Sequence, residues 1–362
     1  MVVVKKSPKK KYFDKFIDLS EFIPIHLINP RLKRYISDIS NISDFSQVCV
    51  CDNQFKDFKK KHNDLKLIID FRLINNFRYV NKHIEKINSR LKNKSMFIGR
   101  VMPYSAVRKN IFKKYPFGLS HIIYFYDLIF KRVFPKLSFT KKIYFFLTGG
   151  KNRVISKAEI FGRLYSCGFT VESEILIGDY LYFKAIKKKE PDFDKNPTYG
   201  LFINLERLGK NGKKIKVYKL RTMHPYAEYL QDYIYKRNSL SDTGKIRNDF
   251  RISTEAKFMR KIWIDELPMI YNIFKGEIKI FGVRPLSEYY FNLYSKELKN
   301  ERIKHKPGFI PPYYVDLPKT FEEIMDSELK YFKLYNQNPI LTDLKYLLRA
   351  LNNVFIRGVR SS

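Results

Sequence analysis

The sequence predicts two domains, an α/β domain over residues 1–190 and a mixed α+β domain over 191–362. Three observations lead there. Between Leu65 and Ile186, strand-like and helix-like runs succeed one another. Residues 187–196 (KKKEPDFDKN) are charged, carry a proline and lack periodicity, so they read as a linker with the boundary near 190. Beyond it, strand-like runs flank Asn211-Gly212, a strong hairpin signal, and short helices follow. A chain of 362 residues has ample length for a core in each domain, and a 44% hydrophobic, 16% aromatic composition excludes a disordered protein.

In order along the chain, residues up to about 61 are Lys-rich, with helical fragments and no clear motif. Residues 65–71 (LKLIIDF) read as a buried strand. Residues 76–91 read as a helix with Phe77, Val80, Ile84, Ile87 and Leu91 on one face, and 96–102 (MFIGRVM) as a second strand. A helix is expected over 156–167, where Ser156 and Glu159 form a capping box and Gly168 supplies the C-terminal stop. Strands over 169–174 and 180–186 follow, joined at Gly178-Asp179. This order resembles the C-terminal half of a class I methyltransferase, and the resemblance implies an incomplete methyltransferase-like scaffold over about 65–186. Glycine does not occur before Gly99, so the Gly-rich turn that holds S-adenosylmethionine is missing and an inactive scaffold is expected.

The formal charge is +34, from 70 Lys plus Arg against 36 Asp plus Glu. Such a field favours polyanions: nucleic acid, acidic lipid headgroups or phosphorylated substrates. Part of it is also what an A/T-rich codon usage would place on solvated faces, since Ile, Asn, Tyr and Phe are abundant too. Three cysteines, Cys49, Cys51 and Cys167, support neither a disulfide framework nor a zinc site, which fits a reduced, cytosolic setting. The first ten residues are no secretory signal, and no uncharged apolar run approaches the roughly 20 residues of a spanning helix. In 115–147, aromatics alternate with Lys131, Arg132, Lys136, Lys141 and Lys142. Two readings stay open there: an amphipathic segment at an anionic membrane surface, or a helix pair packed on the second domain with snorkelling lysines.

The chemistry-bearing residues begin after Tyr199. Strands are expected over 201–208 and 214–220, the second delivering Lys219, Arg221 and Thr222 at its exit, a set suited to a diphosphate. A helix over 256–263 precedes Asp265-Glu266-Leu267-Pro268, and Pro268 opens a new helix that stops at Gly276. Asp265 and Glu266 thus lie at or just before a helix N-terminus. Free N–H groups there favour the ionised state that a nucleophilic carboxylate needs, and hard oxygens suit Mg²⁺. An ordinary acidic N-cap has the same appearance. A strand over 277–281 then leads into the turn Gly282-Val283-Arg284-Pro285, and Lys306-Pro307-Gly308 makes another.

Read together, ERLGKNGKKIKVYKLRTM, NDFRIST, FMRKIWIDELPMIYNIFKGEIKIFGVRPL and KHKPGF resemble the bacterial sugar transferase family, the monotopic phosphoglycosyl transferases, over about 199–358. The resemblance implies that Asp265 and Glu266 are the catalytic dyad, with the aspartate attacking the sugar-bearing phosphate of a UDP-sugar and expelling UMP. The aspartyl phosphosugar then passes to a polyprenyl phosphate, initiating polysaccharide or glycan assembly. It further implies Mg²⁺ held by Glu266 with Asp265, and phosphate or substrate contacts from Lys219, Arg221, Asp249, Arg251, Arg260, Arg284 and Pro285.

Three departures stand out. Val283 replaces a proline of the family's GPRP turn, which is expected to loosen it. Residues 307–314 (PGFIPPYY) differ from the family's PGITGWAQ-like stretch. In place of a hydrophobic re-entrant helix before the hairpin, this chain has the polar residues 169–199, which makes 115–147 the substitute for membrane contact. The expected location is the cytoplasmic face of the inner membrane, or the cytoplasm. Two rivals accompany this reading: a related transferase with a soluble acceptor, and a nucleic-acid-binding protein suggested by charge but unsupported by any helix-turn-helix, zinc-finger or RNP pattern.

Overall fold

The computed structural model describes residues 23–24, 27, 29–38, 47–52, 64–193, 199–237 and 249–356. The architecture is mixed α/β, in two compact units. One comprises Met1–Tyr199 with His224–Ser239 and Asn248–Arg251. The other comprises Gly200–Met223, Leu240–Arg247 and Ile252–Ser362.

The first unit is built on a five-stranded sheet of β1 (Val48–Cys51), β2 (Leu65–Leu73), β3 (Leu91–Val101), β4 (Phe169–Ile177) and β5 (Tyr180–Lys187), in the order β1-β2-β3-β5-β4. β1, β2 and β3 run parallel, and the β4–β5 hairpin pairs antiparallel to β3 through β5. The near-continuous apolar run of β2 is explained by its burial, as parallel strands covered on both faces require. Its helices are α1 (Pro30–Ser37), α2 (Val80–Asn88), α3 (Tyr104–Lys114), α4 (Leu119–Leu128), α5 (Ser138–Thr148), α6 (Lys157–Ser166) and α7 (Gln231–Arg237). The Ser156 hydroxyl accepts the Glu159 N–H at 3.0 Å to start α6. Gly168 (φ +84°) ends it where a Cβ would stand 2.1 Å from the Lys189 carbonyl oxygen. Among the described residues, no helix is long and apolar enough to cross a membrane.

Several expectations are corrected. β1 lies in the stretch read as helical fragments: four residues of Val and Cys are too short to show a period. The helix expected over 76–91 is confined to Val80–Asn88, because Leu91 opens β3 opposite Leu65. An apolar strand start immediately after an apolar helix face prolonged the apparent helix. By contrast, the strands expected over 169–174 and 180–186 are present as β4 and β5, running on to Ile177 and Lys187.

The second unit contains the hairpin β6 (Phe202–Leu208) and β7 (Lys214–Leu220), and the parallel pair β8 (Lys279–Phe281) and β9 (Gly308–Ile310). Asn211 and Gly212 both have positive φ, +57° and +70°, the backbone that the Asn-Gly signal implies. The helices are α8 (Thr254–Lys261), α9 (Met269–Phe274), α10 (Glu288–Asn292), α11 (Lys296–Lys304), α12 (Tyr313–Asp316), α13 (Phe321–Gln337) and α14 (Pro339–Leu351). Phe281, Val283, Leu298, Ile310, Tyr331 and Tyr346 form the centre of the larger core, and Ile215, Val217, Met269 and Ile278 a smaller one beneath the hairpin.

Candidate active site

The acid pair sits on a single turn. After α8, Trp263 takes a left-handed conformation (φ +59°) and packs on Tyr314, with ring centroids 4.7 Å apart. Residues Ile264–Glu266 then make one 3-10 turn before Pro268 caps α9. A bulky residue held at positive φ is the sort of local strain that surrounding packing must maintain. The expected placement of Asp265 and Glu266 just before a helix is what the structure shows.

β7 brings Lys219 to this turn: its Nζ donates to Glu266 Oε1 at 2.6 Å. The same Glu266 oxygen accepts from Arg284 Nη2, while Arg284 Nη1 donates to the Tyr313 hydroxyl at 2.7 Å. Burial alone would raise the Glu266 carboxyl, but Arg284 and Lys219 outweigh it and hold the group below the usual carboxylate range. Asp265 behaves oppositely. Burial, then the neighbouring Glu266 charge, pushes its carboxyl up, against the pull of Lys219 and Arg260. Among the described residues, no side chain bonds the Asp265 carboxylate. Burial and the repulsion of Arg284 lower the Lys219 ammonium, and burial and Arg284 likewise lower Arg207. Four cations (Arg207, Lys219, Arg260 and Arg284) thus outnumber two carboxylates, an excess suited to a polyanion.

The turn carrying Arg284 is pinned by backbone. Gly308 N donates to Val283 O at 2.8 Å and Gly282 N to Ile310 O at 3.1 Å, across the β8–β9 pair. A Cβ on Gly308 would stand 2.1 Å from Gly282 N, so only glycine permits this approach. Val283 is buried in the core and Pro285 is buried too. The replacement expected to loosen the turn leaves it fixed.

Of the other predicted residues, Arg260 is close enough to act on Asp265, whereas Arg221, Asp249 and Arg251 bond elsewhere. Arg221 turns back on its own hairpin, donating from Nε to Gly200 O at 2.6 Å. Arg260 grips Thr222 Oγ1 through Nε (3.0 Å) and Nη2 (2.6 Å). Asp249 and Arg251 belong to the first unit, where they hold each other (Arg251 Nη2 to Asp249 Oδ2, 2.7 Å), and Arg251 Nη1 also donates to Gln231.

Three contributors escaped the sequence reading: Tyr313, Asn272 and Arg207, which is lowered by burial and by the nearby Arg284. Tyr313 comes from the stretch that departs from the family pattern, and nothing in its spacing points to Arg284. Asn272, fully buried in α9, completes the free edge of β7: its amide accepts from Tyr218 N (3.1 Å) and donates to Lys216 O (2.7 Å) and Glu277 Oε2 (2.6 Å). It substitutes for a neighbouring strand and fixes the exit of β7 beside α9.

A family model described as bacterial sugar transferase matches residues 194–357. The chain is 31% identical over 154 residues to galactosyl transferase CpsE of Streptococcus agalactiae serotype III, covering 41% of this chain and 33% of that one. It is 34% identical over 156 residues to the uncharacterized sugar transferase EpsL of Bacillus subtilis, covering 43% and 70%. The undecaprenyl-phosphate galactose phosphotransferase of Salmonella typhimurium is 31% identical over 112 residues, covering 30% and 22%. The chain therefore spans about a third or less of the length of several curated relatives that it matches. Among solved structures, a T. thermophilus 16S rRNA methyltransferase (RsmC) matches at 9% identity over 50% of this chain and 32% of that one. Its TM-score of 0.16 is too low to bear on the fold. With 70% of EpsL covered at 34% identity and the family pattern matched from 194 to 357, this chain belongs to the bacterial sugar transferase family.

Proposed function

We propose that this chain is a phosphoglycosyl transferase that moves a sugar phosphate from a UDP-sugar to a polyprenyl phosphate, at the start of polysaccharide or glycan assembly. The observation that carries this reading is the contrast within the acid pair. Glu266 is neutralised by Lys219 and Arg284, while Asp265 beside it is bonded by no side chain among the described residues and faces an excess of positive charge. The first is a charge that organises cations; the second is poised as a nucleophile.

In the first step, an Asp265 carboxylate oxygen attacks the sugar-bearing phosphorus. A P–O bond to the aspartate forms as the diphosphate P–O bond breaks, and UMP leaves with that electron pair. In the second, a phosphate oxygen of the lipid attacks the same phosphorus and the aspartyl bond breaks, restoring the carboxylate. Lys219, Arg284 and Arg260 neutralise the phosphoryl oxygens, the term that dominates such transfers. The raised Asp265 carboxyl is also more basic, hence more nucleophilic once ionised.

The donor set fits magnesium carried in with the diphosphate, since that ion is commonly held by one or two carboxylates with substrate phosphates completing its shell. Glu266 with Asp265 would hold it. Among the described residues, no group of three or more His, Cys, Asp or Glu side chains is placed to do so alone. The ion would supply charge neutralisation on the transferring group.

For the acceptor, support comes from the flank of the acid pair. Leu267, Ile270, Tyr271 and Phe274 are exposed, Phe274 by 85%. An exposed apolar face beside an anion site suits a phosphate whose tail stays in a bilayer. The name of the Salmonella relative points to the same acceptor class. The test incubates the full chain with a panel of UDP-sugars, Mg²⁺ and undecaprenyl phosphate. UMP release and sugar transfer to the lipid are expected with one of them; UMP release with no lipid product would redirect the reading to a soluble acceptor.

A further inference from the structure

The basic aromatic segment is folded as α4 and α5, linked by a tight turn of helix, Ile129–Val133 and Phe134–Lys136. Its inward side is well packed: Tyr144 is buried against Phe130, with ring centroids 5.5 Å apart. Its outward side is not. Ile122, Phe125 and Tyr126 recur at helical spacing on α4, and Phe139, Phe146 and Leu147 on α5, each at least 64% exposed, with Phe146 at 88%. Large apolar side chains concentrated on two consecutive short helices exceed the scattered exposure that a water-facing surface shows.

The charge around them has one sign. Residues 104–153 contain eleven Lys or Arg and a single acidic residue, Asp127. Asp127 is itself paired with Lys131 at 2.5 Å. Of the five basic residues singled out in the sequence, Lys141 and Lys142 are exposed beside the apolar face of α5. Arg132 instead lies over the Tyr104 ring and Lys136 over Tyr199, so these two brace the segment from within.

We propose that the outward faces of α4 and α5 dock this protein on an anionic lipid surface, with the aromatic and aliphatic tips among the acyl chains and Lys141 and Lys142 at the headgroups. Exposed hydrocarbon gains by leaving water only where a hydrocarbon layer receives it, and a single-signed basic rim gains only at an anionic one; a lipid leaflet offers both. A nucleic acid would satisfy the charge but give Ile122 and Leu147 no apolar environment. The proposal adds to the proposed function the surface by which a bilayer is reached. Its test uses vesicles without donor or acceptor, so it stands or fails apart from the transferase reading.

The experiment is co-sedimentation of the full chain with phosphatidylcholine vesicles, with or without 30% phosphatidylglycerol. At low salt, binding should be at least about tenfold tighter to the anionic vesicles and should weaken steeply as salt is raised. Phe139→Ser with Phe146→Ser should reduce binding at least about tenfold, with an unchanged unfolding midpoint, because both side chains are exposed. Lys141→Gln with Lys142→Gln should weaken binding and flatten its salt dependence. Phe146→Trp should keep binding and show quenching by brominated acyl chains. Wild-type protein that ignores anionic vesicles, serine variants that bind as tightly as wild type, or vesicle binding displaced by oligonucleotide with no acyl-chain quenching would each overturn the proposal.

Discussion

Asn272→Ala removes one side chain and leaves the edge of β7 open. The amide satisfies Tyr218 N–H and Lys216 C=O, which lie two residues apart on the same strand edge, and it also donates to Glu277. Alanine orphans two backbone groups in a place where Asn272 itself is 0% exposed. Each such group costs about 1–3 kcal/mol, so a loss of about 2–5 kcal/mol is expected, a large share of ordinary domain stability. Asn272→Asp should be no better, because it sets a second acceptor against Lys216 O and the Glu277 carboxylate. Trp263 is the only tryptophan in the chain and packs on Tyr314 within the same unit, so its fluorescence reports this unfolding directly. Urea denaturation of the full chain should show the midpoint falling by about 1–2 M. Since β7 carries Lys219, the folded variant should also lose transfer activity. A midpoint within about 0.3 M of wild type would refute the view that this amide stands in for a strand.

Three further outcomes follow from the same geometry. Only ionised Asp265 attacks, and its carboxyl is pushed up, first by burial and then by Glu266; the acidic limb of kcat/KM should therefore lie above the usual carboxylate value of about 4, activity being lost as pH falls through it. Glu266→Gln should move that limb to lower pH, by removing the like charge, while reducing the rate through loss of the partner that Lys219 and Arg284 share; an unmoved limb would count against the coupling. Gly308→Ala places a Cβ against the Gly282 backbone, so a stability loss of about 2–4 kcal/mol by urea denaturation is expected, with lower activity as the Arg284 turn shifts.

Much of the site is legible because its signals are local. Asn211-Gly212 dictates the hairpin that aims Lys219, Pro268 and Gly276 bracket α9, and Gly282 with Arg284-Pro285 announces a turn. What stayed hidden depends on contacts between distant segments. Asn272 looks like a tolerated polar residue in an apolar helix until β7 lies against it. Tyr313 joins Arg284 across 29 positions of sequence. Lys219 and Arg221 are two residues apart, which strand alternation would set on one face, but β7 ends at Leu220, so Lys219 reaches Glu266 while Arg221, beyond the strand, turns to the Gly200 carbonyl. β1 escaped because four residues cannot display a period.

The covalent role of Asp265 is tested most directly by mixing the full chain with its UDP-sugar and Mg²⁺ in the absence of any lipid phosphate. The products are quenched and the intact mass and the Asp265 peptide are measured. The mechanism predicts a burst of UMP approaching one per protein and a matching sugar-phosphate adduct on Asp265, both absent in Asp265→Asn, whose amide cannot attack phosphorus. UMP formed only when acceptor is present, with no adduct, or a full burst from Asp265→Asn, would contradict it.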